Sequence, residues 1–236
     1  MLKIEKTVLP SPEQWEIVVE GMRNPKNSWD RIDSYKTFVV DADTKRMVAS
    51  EFFMGEKDQH LASSLALGGP VHAKYRRMLP VWVTITAPLY WWKEFETYRN
   101  GIAPNPNDIE MNSCSTMHKI HEREFTLEDF SCDHLLPGTV SILQMSIDAL
   151  NAARARYVNL SKDDPTAKDY WWQMIQLLPS SYNQKRTIML NYEALSNMYR
   201  WRRPHKLDEW HVFCDWIEEL PYSELITGER EDEVVE

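Results

Sequence analysis

The stretch "LPSSYNQKRTIMLNYEALSNMYRWR", residues 178–202, decides how this chain is read. Its middle, "SYNQKRTIML" from 181 to 190, reads as a strand. "NYEALSNMYRWR" reads as a helix beginning at Asn191. In that helix Asn191, Leu195, Met198 and Arg202 recur at i, i+4, i+7 and i+11, so they share one face. Leu195 and Met198 bury the centre of the face. Core packing does not account for a guanidinium on the same stripe, which must be paired or ligand-bound if buried. The helix runs into "YRWRRPHK", 199 to 206, which has three readings. They are a solvated helix end whose arginines complement the dipole, a small-anion site, and a platform for single-stranded nucleic acid.

Outward from this stretch the chain alternates helices and strands. "SPEQWEIVVEGMRN" is an early helix with Ser11 as N-cap, Pro12 at its first position and Gln14 at capping-box spacing. "KTFVVDADT" suggests a short strand, and "DQHLASSLALGGP" a helix ended by two glycines. "LPVWVTIT", 79 to 86, is a strand, after which Pro88 starts the helix "PLYWWKEFETYR". Residues 100 to 117 form a long polar loop, and helices follow at about 138 to 158, in "PTAKDYWWQMIQLL" and in "KLDEWHVFCDWIEEL". The doublets Trp91-Trp92 and Trp171-Trp172 are read as packing or subunit-contact residues. With no repeat and no linker, residues 1–236 read as one α+β domain with an acidic tail from about 227 to 236.

The composition narrows the function. A net charge of −9 argues against general attraction to nucleic acid, so an anionic ligand needs local cations and backbone donors. No apolar run is long enough to span a membrane, and "MLKIEKTVLP" has no signal-peptide core. Three cysteines cannot all pair, which suits a reducing, cytoplasmic setting.

"NSCSTMH", 112 to 118, is small and polar. Cys114, His118 and His121, with Cys132 and His134 beyond, are spaced as metal ligands are, but no CxxC-type knuckle accompanies them. The segment "HKIHERE" reads equally as a solvated helix face, and no metal is assigned.

Residues 178–202 resemble the C-terminal signature of the flavin-dependent thymidylate synthases, the ThyX family. Leu178-Pro179, Asn191, Leu195, Asn197 and Arg202 stand at that family's spacing without a gap. Ala87-Pro88 and the helix ending in Thr97-Tyr98-Arg99 resemble its central segment, and Asn112 with Ser115 its Asn-x-x-Ser. His72 lies at the family spacing before Pro88, and Ser28 matches a flavin-contacting serine. The likeness runs from about residue 20 to 220 and weakens at 30 to 70 and 120 to 170.

The resemblance implies a mixed α/β domain assembled as a homotetramer with active sites where subunits meet. It implies C5 methylation of a pyrimidine deoxynucleotide, by default dUMP, with FAD as cofactor and NADPH and methylenetetrahydrofolate as co-substrates. Arg202 matches the arginine that binds and activates the pyrimidine. Ser115 matches the phosphate-holding serine, and Glu94 the place of a nucleotide-contacting glutamine. Arg99 falls near both flavin and nucleotide. Ser28, His72, Lys74, Tyr98, Asn112, Asn191 and Asn197 fall to the flavin. Thr97 and Tyr98 replace the Arg and His of the family's Arg-His-Arg. Met117 and Ile175 stand where phosphate-binding arginines are expected, which leaves Lys74, Arg76, Arg77, Lys119 and Arg123 as substitute cations. Two alternatives remain: the same flavin chemistry on another pyrimidine or with another one-carbon transfer, and a non-catalytic nucleotide-binding relative.

Overall fold

Strand alternation and helix capping build the elements that carry the candidate residues. The computed structural model describes residues 1–98, 109–161 and 163–228. In chain order the described elements are β1 (Lys3–Val8), α1 (Pro12–Arg23), β2 (Tyr35–Val40), β3 (Met47–Phe53), α2 (Glu56–Leu67), β4 (Pro80–Pro88) and α3 (Leu89–Phe95). They continue with β5 (Glu110–Ser113), α4 (Pro137–Asn159), α5 (Ala167–Leu177), β6 (Asn183–Asn191), α6 (Tyr192–Arg202), α7 (Asp208–Glu218) and α8 (Glu224–Thr227). One sheet has the order β1-β4-β6-β5, and β2 pairs with β3 as an antiparallel hairpin in which Lys36 faces Phe52. The mixed α/β class expected from the sequence is what the chain adopts.

The predicted cap of α1 is present. Ser11 Oγ accepts from the Gln14 amide at 3.2 Å, and Gln14 Oε1 accepts from the Ser11 amide at 2.8 Å. In β6, burial alternates from Gln184 through Arg186 and Ile188 to Leu190, as a strand with one covered face requires.

The described chain divides into two compact units. The first holds Met1–Glu5, Thr84–Thr97 and Met111–Thr187. Its core joins Phe125, Phe130, Leu143, Ile147, Leu150 and Met174, built where α4 packs on α5. Trp91, Trp92 and Phe95 of the same unit are fully buried and pack on one another, so the first tryptophan doublet is packing, while Trp172 of the second is 41% exposed. The second unit holds Lys6–Val83, Tyr98–Glu110 and Ile188–Glu236. Its core centres on Trp15, which meets the rings of Tyr222, Tyr192 and Phe52 at 5.0, 5.6 and 5.9 Å.

Three sequence expectations are corrected. The loop expected over 100 to 117 contains strand β5, and its residues 100–108 lie outside the described residues, as does the acidic tail from residue 229. "HKIHERE" is a series of turns and bends rather than a helix. Strands β1 and β3 and the short α8 were not anticipated.

The three cysteines are unpaired. Cys214 is buried in α7, where burial pushes its thiol up to about 12, whereas Cys114 is exposed. Because the thiolate is the reactive form, alkylation of the folded chain at about pH 8 is expected to label Cys114 first and to reach Cys214 only after unfolding. Peptide mass analysis over time checks this. Equal labelling rates contradict the packing of α7.

Candidate functional site

Within the second unit Arg202 ends the helix face that Asn191 begins, and the rings of Tyr98 and Trp210 pack on it. At the start of α6, Asn191 is the N-cap and is buried, and its Oδ1 accepts from the Ala194 amide at 2.9 Å. That bond occupies the amide oxygen and leaves the Nδ2 protons for any ligand. Leu195 and Met198 are fully buried along the same face, and Arg202 closes it at the far end, half-buried. The guanidinium lies 4.7 Å from the centre of the Trp210 ring and 5.2 Å from that of Tyr98. Arg202 Nε donates to Tyr98 Oη at 2.8 Å. A planar cation stacked on two rings and pinned through one nitrogen keeps a fixed direction. Here the structure answers the question raised by the stripe: the arginine is paired with aromatics.

Asn197 is half-buried on α6. His72 and Lys74 are exposed between α2 and β4. A side chain on Gly68 would sit 3.1 Å from the His72 ring, so glycine there lets that ring lie against the end of α2. Of the substitute cations in this unit, Arg76 is buried against Glu193 at 3.7 Å and donates to Ser196 Oγ at 3.3 Å, and Arg77 donates to the Pro70 carbonyl at 3.1 Å.

The same unit holds a cavity of about 900 Å³ between the end of α1 and the start of α2. Lys26, Arg31, Lys57 and His60 line it, with the acids Asp30 and Glu56. Ser28 opens into it. Ser28 is buried, and its Oγ has no hydrogen-bond partner among the described residues. An unmet buried hydroxyl in a cavity lined by cations fits an anionic ligand.

Within the first unit, Ser115 lies on an exposed loop after β5. Its Oγ accepts from the His118 amide at 3.0 Å, which closes a serine turn over residues 115–118. Asn112 is exposed on β5, and Glu94 is half-buried on α3. Met117 is exposed, and its carbonyl accepts from Trp171 Nε1 at 2.9 Å. Ile175 packs against the core of this unit. Lys119 is tied to Glu122 at 2.5 Å, and Arg123 makes a two-pronged pair with Asp129. Arg99 lies outside the described residues. Among the described residues no group of three or more His, Cys, Asp or Glu is arranged to hold a metal ion, and no helix is long and apolar enough to cross a membrane.

Sequence reasoning missed Gln184, Arg186 and Glu96. Arg186 is buried, stacks 4.5 Å from the Trp92 ring centre, pairs with Glu96 and donates through Nε to Gln184 Oε1 at 2.9 Å. The signal was present: in a strand, residues 184 and 186 must share the face of Ile188 and Leu190.

No protein-family model and no curated protein matches the chain. Solved structures do match. ThyX from Helicobacter pylori, a flavin-dependent thymidylate synthase complexed with FAD and dUMP, aligns at a TM-score of 0.57 and 16% identity over 96% of this chain and 97% of its own. A second structure of that enzyme with FAD and dUMP aligns at 0.57 and 17% identity, over 96% of each chain. PolB, a UMP/dUMP methylase from Streptomyces cacaoi bound with 5-Br dUMP, aligns at 0.53 and 14% identity over 94% of this chain and 92% of its own. These matches define a mixed α/β fold of one kind. It is the fold of the flavin-dependent thymidylate synthases.

Proposed function

We propose that this protein methylates C5 of a pyrimidine deoxynucleotide, dUMP by default, with FAD as cofactor and methylenetetrahydrofolate and NADPH as co-substrates. The observation that carries the reading is Arg202, aimed by Tyr98 and Trp210 at the end of the helix that Asn191 caps, in a chain with this fold. Two of the solved neighbours hold FAD and dUMP, which supports the cofactor, and the third holds a brominated dUMP, which supports the substrate class.

The residues present fit the cofactor. The unmet Ser28 hydroxyl and the cations beside it suit the phosphates of FAD, with His72 and Lys74 as further candidates. Asn191 Nδ2, Asn197 and Tyr98 are assigned to hold and orient the flavin, with Asn112. When bound, FAD supplies hydride chemistry, which no side chain can provide.

The protein's own part is binding, orientation and polarisation. The Ser115 loop takes the nucleotide phosphate through its hydroxyl and amides. Arg202 accepts the pyrimidine and stabilises negative charge that develops on a ring carbonyl oxygen, a preorganised electrostatic role. Glu94 and Arg99 complete the nucleotide contacts. The chain acts as a homotetramer in the cytoplasm, where its three free cysteines stay reduced.

A second reading keeps the flavin chemistry and changes the base, because the carboxylate of Glu94 suits a cytosine or modified uracil edge. Incubating the chain with FAD, NADPH, methylenetetrahydrofolate and either dUMP or dCMP separates the two. A methyl mass gain on dUMP alone is expected. A gain on dCMP alone favours the second reading, and no product from either defeats both.

A further inference from the structure

The loop that carries Ser115 is closed onto β6 by a relay that begins at a buried arginine. Both backbone groups of Cys114, the residue before Ser115, are bound by β6. Its amide donates to the Lys185 carbonyl at 3.0 Å, and its carbonyl accepts from Gln184 Nε2 at 2.8 Å. An Asn or Gln amide can face either way unless a neighbour with only one hydrogen-bonding sense decides it. The Cys114 carbonyl, which only accepts, and Arg186 are both such neighbours, and they agree. A guanidinium only donates, and its Nε reaches Gln184 Oε1 at 2.9 Å, so the Gln184 nitrogen must face Cys114. The arginine is itself immobile, stacked on Trp92, paired with Glu96 and 3.6 Å from Met111 Sδ. Trp92 Nε1 in turn donates to the Gln184 carbonyl at 2.9 Å.

We propose that Arg186 is a positioning residue for nucleotide phosphate: by anchoring the oxygen of the Gln184 amide it holds Cys114, and with it Ser115, in the phosphate-binding geometry. The inference rests on the reading of the Ser115 loop as the phosphate site. It offers an account of how the loop works with Met117 in place of a cation. Precise placement of donors stands in for an additional charge.

The test is calorimetric binding of dUMP and of deoxyuridine, which lacks the phosphate, to the full chain and to R186M and Q184E. In R186M the Gln184 amide loses the donor that anchors its oxygen and is left to the Cys114 carbonyl alone. In Q184E the hydrogen bond from Arg186 becomes an ion pair, which protects folding, but a carboxylate now faces the Cys114 carbonyl. Both variants are expected to bind dUMP about tenfold more weakly, as loss of one desolvated hydrogen bond implies, with deoxyuridine affinity held within about twofold. Parallel loss of both ligands would mark a merely structural role and overturn the proposal, as would wild-type dUMP affinity in Q184E. If the unmodified chain itself binds dUMP no better than deoxyuridine, the phosphate reading of the loop fails, and the inference fails with it.

Discussion

Replacing Arg202 with glutamine is expected to lower the turnover of dUMP by about 100- to 1000-fold, the usual cost of removing a donor from developing negative charge. The fold should be indifferent, because Leu195 and Met198, both fully buried, carry the packing of that face. Lysine is expected to rescue little. It keeps the charge but not the planar fork that stacks 4.7 Å from Trp210 and donates through Nε to Tyr98. Tyr98→Phe removes one hydrogen bond and keeps the ring, so its effect should be about tenfold or less. Steady-state kinetics on variants whose melting curves match that of the unmodified chain reads these effects. An R202Q variant within threefold of the unmodified rate would remove Arg202 from the chemistry.

The largest expected effect on stability is at Asp58. Its carboxylate is fully buried and accepts from Arg23 Nε at 2.7 Å, from the Asp33 and Ser34 amides at 3.0 and 2.8 Å, and from Ser34 Oγ at 2.7 Å. Arg23 Nη2 adds an ion pair at 2.6 Å. Asp33 in turn caps α2, accepting from the Lys57 and Asp58 amides at 3.0 and 3.1 Å. The approach is so close that a Cβ on Gly55 would fall 2.3 Å from Asp33. Asp58→Asn leaves the Arg23 charge buried without its partner, and is expected to cost about 3–5 kcal/mol. Burial alone would push the Asp58 carboxyl up, but the Ser34 and Arg23 hydrogen bonds outweigh it and hold the group below its usual range. The folded state therefore binds fewer protons there than the unfolded chain. This contribution is complete above the ordinary carboxylate range and is lost as pH falls through the depressed value. Urea unfolding at neutral and at acid pH checks both points. The gap between the unmodified chain and D58N should shrink in acid, and a gap that does not change with pH would contradict the assignment.

Much of the fold was legible because local signals agreed with tertiary demand. Ser11, Pro12 and Gln14 announce α1, and the switch from alternation to a 3.6-residue period at Asn191 marks the step from β6 to α6. The face from Asn191 to Arg202 was read correctly, though not that Asn191 also caps its helix. What stayed hidden depended on partners distant in sequence. Strand β5 is four residues, three of them polar, in a polar run, and only its place beside β6 makes it a strand. Strand β3 carries Ser50 and Glu51 at its centre, which hide its pairing with β2. Of the five cations nominated from the sequence, Arg76, Lys119 and Arg123 are engaged by Glu193, Glu122 and Asp129. Arg186 drew no notice, because a charged residue inside a strand is ordinarily assigned to the solvent side.

The central claim is that this chain holds FAD and brings a pyrimidine nucleotide to it. The most direct measurement is the visible absorption spectrum of the full chain, reconstituted with FAD, freed of excess cofactor and titrated with dUMP. Retained flavin bands that shift saturably with dUMP, and far less with deoxyuridine, are expected. A protein that retains no flavin, or whose flavin bands ignore dUMP, would contradict the claim.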